Sequence, residues 1–204
     1  MTLIRRICAG LLALLVAALT SCSIDGSAIP VQGIRQVDDR GVRLPFTTKH
    51  SQRWNTANDG TEYEPCTGVQ LRDLSRLNID ARSVRDAAKT NGQTLRGCIW
   101  TYEETGTDIP PSISQTVGNG KGLDAAKARR SGPQDSWLDD ILIASRRVGI
   151  HVYSFEGYCA TYVESGTATV ISTASHSGTH PLNREQLCER AIAFTRATID
   201  RMPE

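Results

Sequence analysis

Apolar and polar positions change rhythm several times along this chain, and each change predicts an element. Ile7 to Leu19 is an unbroken uncharged stretch behind Arg5 and Arg6. Thirteen residues at about 1.5 Å each fall short of roughly 30 Å of hydrocarbon, so the stretch reads as the h-region of a signal peptide rather than a span. Residues 23 to about 40 mix Ser, Gly, Pro and charge without a period and predict a flexible tether. Val42, Leu44 and Phe46 then alternate as in a strand, but Pro45 removes a donor and demotes the segment to an edge or an extended arm. Asn58-Asp59-Gly60 is a turn signal.

Leu71, Leu74 and Leu77 recur at spacing three after Cys66, which predicts a helix that Asn78 can end. A second short helical stretch is expected over residues 83–89. LRGCIWTYE (95–103) has strand composition with Cys98, Trp100 and Tyr102 on one face, and SISQTV (112–117) is its expected partner. Residues 118–136 are polar and predict a surface excursion with a helical turn or two. RRVGIHVYSF (146–155) and CATYVES (159–165) form an expected hairpin around Glu156-Gly157, and the β-branched run 166–175 follows as a third consecutive strand. Asn183 then stands as an N-cap, with Gln186 at the capping-box position and Leu182 and Leu187 at the hydrophobic-staple positions. Cys188, Ala191, Ile192, Thr195 and Ile199 keep a helical rhythm until Pro203. The order predicts an α+β fold: an antiparallel sheet of about five strands packed on an N-terminal helical segment and a long C-terminal helix.

Cys22 changes the picture of where this domain sits. Leu19-Thr20-Ser21-Cys22 places an aliphatic residue and two small ones before a cysteine, which looks like the lipobox of a bacterial lipoprotein. Lipid is then expected on Cys22 after cleavage before it. The expected organisation is a signal peptide at 1–21, a lipidated N-terminus and tether at 22–40, and one extracytoplasmic domain at 41–204. Two or three acyl chains hold a protein firmly at a bilayer, so the expected location is the outer face of the cell membrane.

Removing 21 of the 204 residues takes Arg5 and Arg6 away and leaves 21 basic against 22 acidic residues. A near-neutral chain argues against nucleic acid as the partner. Of six cysteines, Cys66, Cys98, Cys159 and Cys188 remain beside Cys22 in the exported chain, and Cys8 leaves with the signal peptide. An even number outside the cytoplasm predicts two disulfides, and four cysteines permit three pairings. Cys66–Cys98 with Cys159–Cys188 is favoured, because each bridge then joins a helix start to a nearby strand.

Candidate chemistry is sparse. His176 and His180 stand four apart in HSGTH, but glycine lies between them and Pro181 follows, so a loop is expected rather than a zinc helix. GNGKG (118–122) lacks the Walker spacing. NTANDG (55–60) begins like a calcium loop but puts Cys66 where a bidentate Glu belongs. No Gly-x-Ser-x-Gly elbow is present. No metal, no cofactor and no catalytic residue is therefore assigned, and the protein is not expected to be an enzyme.

The lipobox, the tether, EPC opening a helix, GCIW on the next strand and two later cysteines together resemble one family. It is the actinobacterial lipoprotein family known as domain of unknown function 3558, and RWNTANDGTEYEPC is similar to a mycobacterial-type subgroup of it. The resemblance covers about residues 41–203. It implies an envelope-anchored α+β domain with disulfides and no established chemistry. The expected role is a binding or accessory module for a lipid, glycan or envelope protein. The alternative is a hydrolase without a recognisable motif, in which a Ser or carboxylate meets His151, His176 or His180.

Overall fold

The computed structural model describes residues 33–103, 108–154, 157–179 and 181–204. Two short helices, α1 (Pro65–Gly68) and α2 (Leu71–Arg76), precede strands β1 (Ile79–Asp86), β2 (Arg96–Tyr102) and β3 (Ser112–Gly118). Helix α3 (Gly122–Arg129) leads to β4 (Asp135–Ile143), β5 (Arg146–Tyr153), β6 (Tyr158–Ser165) and β7 (Ala168–Ser175). Helix α4 (Arg184–Thr198) closes the chain with a 3-10 turn, Ile199–Arg201. All seven strands form one antiparallel sheet in the order β1-β2-β3-β7-β6-β5-β4.

The α+β class and the antiparallel sheet stand as expected, with seven strands in place of about five. Both extra strands are the sheet's edges. Residues 83–86 of the stretch expected as helix (83–89) lie in β1, paired with β2, and the Ala87 N–H just beyond still donates to the Gly97 carbonyl, so sheet pairing overrides the local helical preference. β4 escaped notice because a register shift between Leu138 and Ile141 breaks its alternation and its outer face carries Asp139 and Leu142. The helix expected from Cys66 is two helices, α1 and α2, separated by extended backbone at Val69 and Gln70. Asn78 ends the second with φ +54°.

The C-terminal helix is built as its signals require. Asn183 accepts a hydrogen bond from the Gln186 backbone, and the Gln186 side chain returns one from the Asn183 N–H. Such a cap stabilises by about 1 kcal/mol. Leu187, Ala191 and Phe194 are buried from this helix against Trp100, Ile113, Val152 and Ala174 of the sheet. Burying a side chain such as Phe194 contributes about 2–3 kcal/mol. Under the same helix Gln115 accepts from the Tyr63 hydroxyl and donates to Ser172 and Thr198, so this buried amide is fully used.

The opposite face of the sheet carries α3. Leu123 and Ala126 pack on Ala160 and Tyr162, with Trp137, Tyr158 and Ile171 at the margin. β6 therefore sends Cys159, Thr161 and Val163 toward α4 and Ala160 and Tyr162 toward α3. Burial on both faces makes it a near-continuous buried run rather than an alternating one. A compact unit spans Ile34–Glu204, so residues 34–40, expected in the tether, belong to it. Val37 bridges Arg43, and buried Asp38 accepts from Thr67 and from the Arg40 and Val42 backbones.

Candidate functional site

Gly149 on β5 brings α3 close to the sheet. A Cβ there would lie 2.5 Å from Leu123 Cδ1 and 3.1 Å from Trp137, so glycine is required for the approach. Glu164 catches the Leu123 backbone N–H at 2.7 Å at the start of the helix. Lys127 and Arg147 both reach Asp140, at 2.6 and 2.7 Å, and Arg147 also reaches Asp124 at 2.9 Å. Held at its start and along its outer side, α3 carries Arg129 and Arg130 at its far end above an open part of the sheet.

A cavity of about 770 Å³ opens beneath them. Thr56 and Ala57 come from the NTANDG loop, Thr94 and Leu95 from the entry to β2, and Gly118, Asn119 and Gly120 from the exit of β3. Arg129, Arg130, Asp135, Tyr153, Tyr162, Thr169 and Ile171 close the remaining walls. The volume falls within the range of small-molecule sites, roughly 300–1,000 Å³. Arg130 donates to the Tyr153 hydroxyl at 3.1 Å, and its guanidinium carbon is 6.0 Å from the Tyr162 ring. Burial disfavours the Arg130 charge, yet the Tyr162, Tyr158 and Tyr153 phenols outweigh it and hold its pKa above the ordinary arginine value. Arg130 is a fixed cation.

Two hydroxyls on the walls lack partners. Tyr162 and Thr169 are each 2% exposed, and neither Tyr162 Oη nor Thr169 Oγ1 makes a hydrogen bond among the described residues. Burial, and then the neighbouring Tyr158 phenol, push the Tyr162 pKa far above the usual phenol value, so this group is a neutral O–H.

Behind the wall His151 is fully buried, with Nε2 2.7 Å from Asp135 Oδ1. Trp137, Tyr153, Tyr158 and Tyr162 surround its ring with centroids 4.9 to 6.1 Å away. Burial lowers the His151 pKa, the hydrogen bond to Asp135 opposes that shift, and the Arg130 charge adds to it. The imidazole is neutral at pH 7, donates from Nε2–H to Asp135, and leaves Nδ1 as an acceptor without a partner among the described residues. This is two-thirds of a nucleophile-activating array, and among the described residues no Ser, Thr or Cys hydrogen-bonds the Nδ1 nitrogen.

The other singled-out residues are structural. His176 Nε2 donates to the Ile109 carbonyl at 2.9 Å, and Nδ1 accepts the Leu182 N–H at 3.0 Å, so both ring nitrogens clip loops together. His180 and Cys22 lie outside the described residues. The NTANDG turn is filled by the Asn119 side chain, which donates to Thr56 and Asp59 and accepts from Gly60. Among the described residues no cluster of His, Cys, Asp or Glu is arranged to hold a metal, and no helix is long and apolar enough to cross a membrane. The cysteines pair as Cys66–Cys98 and Cys159–Cys188. No motif in the sequence points to Arg129, Arg130, Asp135 or Thr169. The adjacent arginines at the end of an otherwise bland segment are the one local signal that could have found them.

The cavity wall and the landmarks that fix it run from the NTANDG loop to β7, a stretch that falls inside one family match. No curated protein and no solved structure matches the chain. The model of the family described as "Protein of unknown function (DUF3558)" matches residues 17–201, and the chain belongs to that family.

Proposed function

We propose that this protein is a lipoprotein anchored through Cys22 to the outer face of the cell membrane, where it works as a binding or accessory module. The observation that carries this reading is the cavity beneath α3. It is large enough for a small ligand and lined on one side by cations and tyrosines, and it holds buried hydroxyls that nothing among the described residues satisfies. Buried polar groups are normally paired, so unpartnered ones facing a cavity point to an external partner. The lipobox and the polar residues that follow it support the anchor. A lipid or a glycan of the envelope fits the mixed lining, with a protein partner as the remaining class.

The His151–Asp135 pair favours a second reading, an envelope hydrolase in which Asp135 orients His151. That chemistry needs a nucleophile or water at His151 Nδ1. A native mass spectrum of the protein extracted from its own membrane in mild detergent separates these readings. A mass of residues 22–204 plus acyl groups, with additional mass released on activation, supports an anchored binding module. An uncut chain overturns the anchor, and a chain that carries no ligand and turns over envelope material overturns the binding role.

A further inference from the structure

We infer that the part of the cavity between Arg129 and β7 is an oxyanion subsite. It takes the phosphate or carboxylate group of a hydroxylated ligand. This deepens the binding reading and rests on it.

Gly120 locates the subsite. A Cβ built there would meet Thr169 Oγ1 and lie 3.2 Å from Arg129 Nη2, so the guanidinium and the buried unpartnered hydroxyl converge on one point. Glycine keeps that point free of side chain. Among the described residues neither Arg129 nor Arg130 pairs with a carboxylate, whereas Lys127 and Arg147 on the other side of α3 are both paired. The nearby acids are occupied. Asp135 receives His151 and the Gly132 N–H, and Asp59 receives the Asn119 amide.

Two guanidinium groups without a carboxylate partner among the described residues, beside neutral hydroxyl donors in a partly closed cavity, match an oxyanion, because charge-assisted hydrogen bonds to such groups are the strong ones. Tyr153, half-buried beside the cations, offers its ring to a sugar or glycerol unit. A purely apolar ligand would leave both arginines desolvated and unpaired, which disfavours it.

Titration calorimetry on the full chain in neutral detergent tests this with four probes: glucose 6-phosphate, glucose, inorganic phosphate and short-chain phosphatidylglycerol. The phosphate-bearing probes are expected to bind at least about tenfold tighter than glucose, and added salt weakens them. Tighter glucose 6-phosphate assigns the oxyanion to a glycan, and tighter phosphatidylglycerol assigns it to a lipid headgroup. Arg129→Gln, at an exposed position, is expected to lose about tenfold for the phosphate probes and nothing for glucose. Thr169→Val is expected to weaken the same probes at unchanged melting temperature. Glucose binding as tightly as its phosphate, or phosphate binding indifferent to Arg129→Gln, overturns the oxyanion subsite and leaves the cavity as a binding site. The binding reading itself fails separately, when the native protein carries no ligand and no probe binds.

Discussion

Arg53 donates to both oxygens of Glu64, Nη1 to Oε2 at 2.8 Å and Nη2 to Oε1 at 3.0 Å, with both side chains sealed from water. Arg96 adds a third bond to Glu64 at 2.9 Å and also donates to the Asn58, Thr61 and Tyr63 carbonyls. Asp86 on β1 completes the charge balance through Arg53 Nε. The network ties residues 53–64 to β1 and β2, and that loop in turn supplies Thr56 and Ala57 to the cavity. Glu64→Gln leaves two buried guanidinium groups facing one carboxylate. It is expected to cost about 3–5 kcal/mol, read as a lower urea midpoint. A midpoint within error of the native protein's would mean that the network contributes no stability.

The two disulfides close loops with sequence separations of 32 and 29 residues. In the chain-entropy model each stabilises by about 3.7 kcal/mol. Cys159→Ala with Cys188→Ala frees α4 from β6 and is expected to destabilise by about 2–5 kcal/mol in urea unfolding. Because Phe194 and Leu187 still anchor the helix, the variant should keep its helical circular dichroism below the transition.

His151 gives stability a defined dependence on pH. Its folded pKa lies below the ordinary 6.5, with burial the main cause and Asp135 opposing it. The unfolded chain therefore takes up this proton before the folded one does. The contribution is complete above about pH 6.5 and declines as pH falls through that value toward the folded pKa. His151→Gln is expected to flatten the melting-temperature profile below about pH 6.5. An equally steep profile in the variant would place the dependence elsewhere.

Tyr162→Phe removes a hydroxyl that has no partner among the described residues. Removing a buried unsatisfied polar group is neutral or stabilising by up to about 1 kcal/mol. The melting temperature should hold or rise while affinity for the cavity's ligand falls. A drop in melting temperature with affinity intact would make the hydroxyl structural.

Parts of this architecture were legible because their causes are local. The Asn183–Gln186 capping box and the stripe through Leu187, Ala191 and Phe194 lie within a few turns of chain, and helix geometry follows from that spacing. The β5–β6–β7 meander announced itself through tight turns and β-branched runs. β1 and β4 did not, because an edge strand is half solvated and interrupted by irregular register, so its period is blurred.

By itself the sequence determined the α+β class, the four cysteines that bridge and the ends of the last helix, because each depends on short-range pattern. Tertiary structure alone decided what those elements enclose. Ala57, Leu95, Gly120, Arg130 and Thr169 are distant along the chain and share a cavity because the sheet order puts β3 beside β7 and α3 across β6. Arg129 and Thr169 have no common motif. Their convergence over Gly120 follows from strand register and helix packing, which long-range burial sets and residue spacing does not encode.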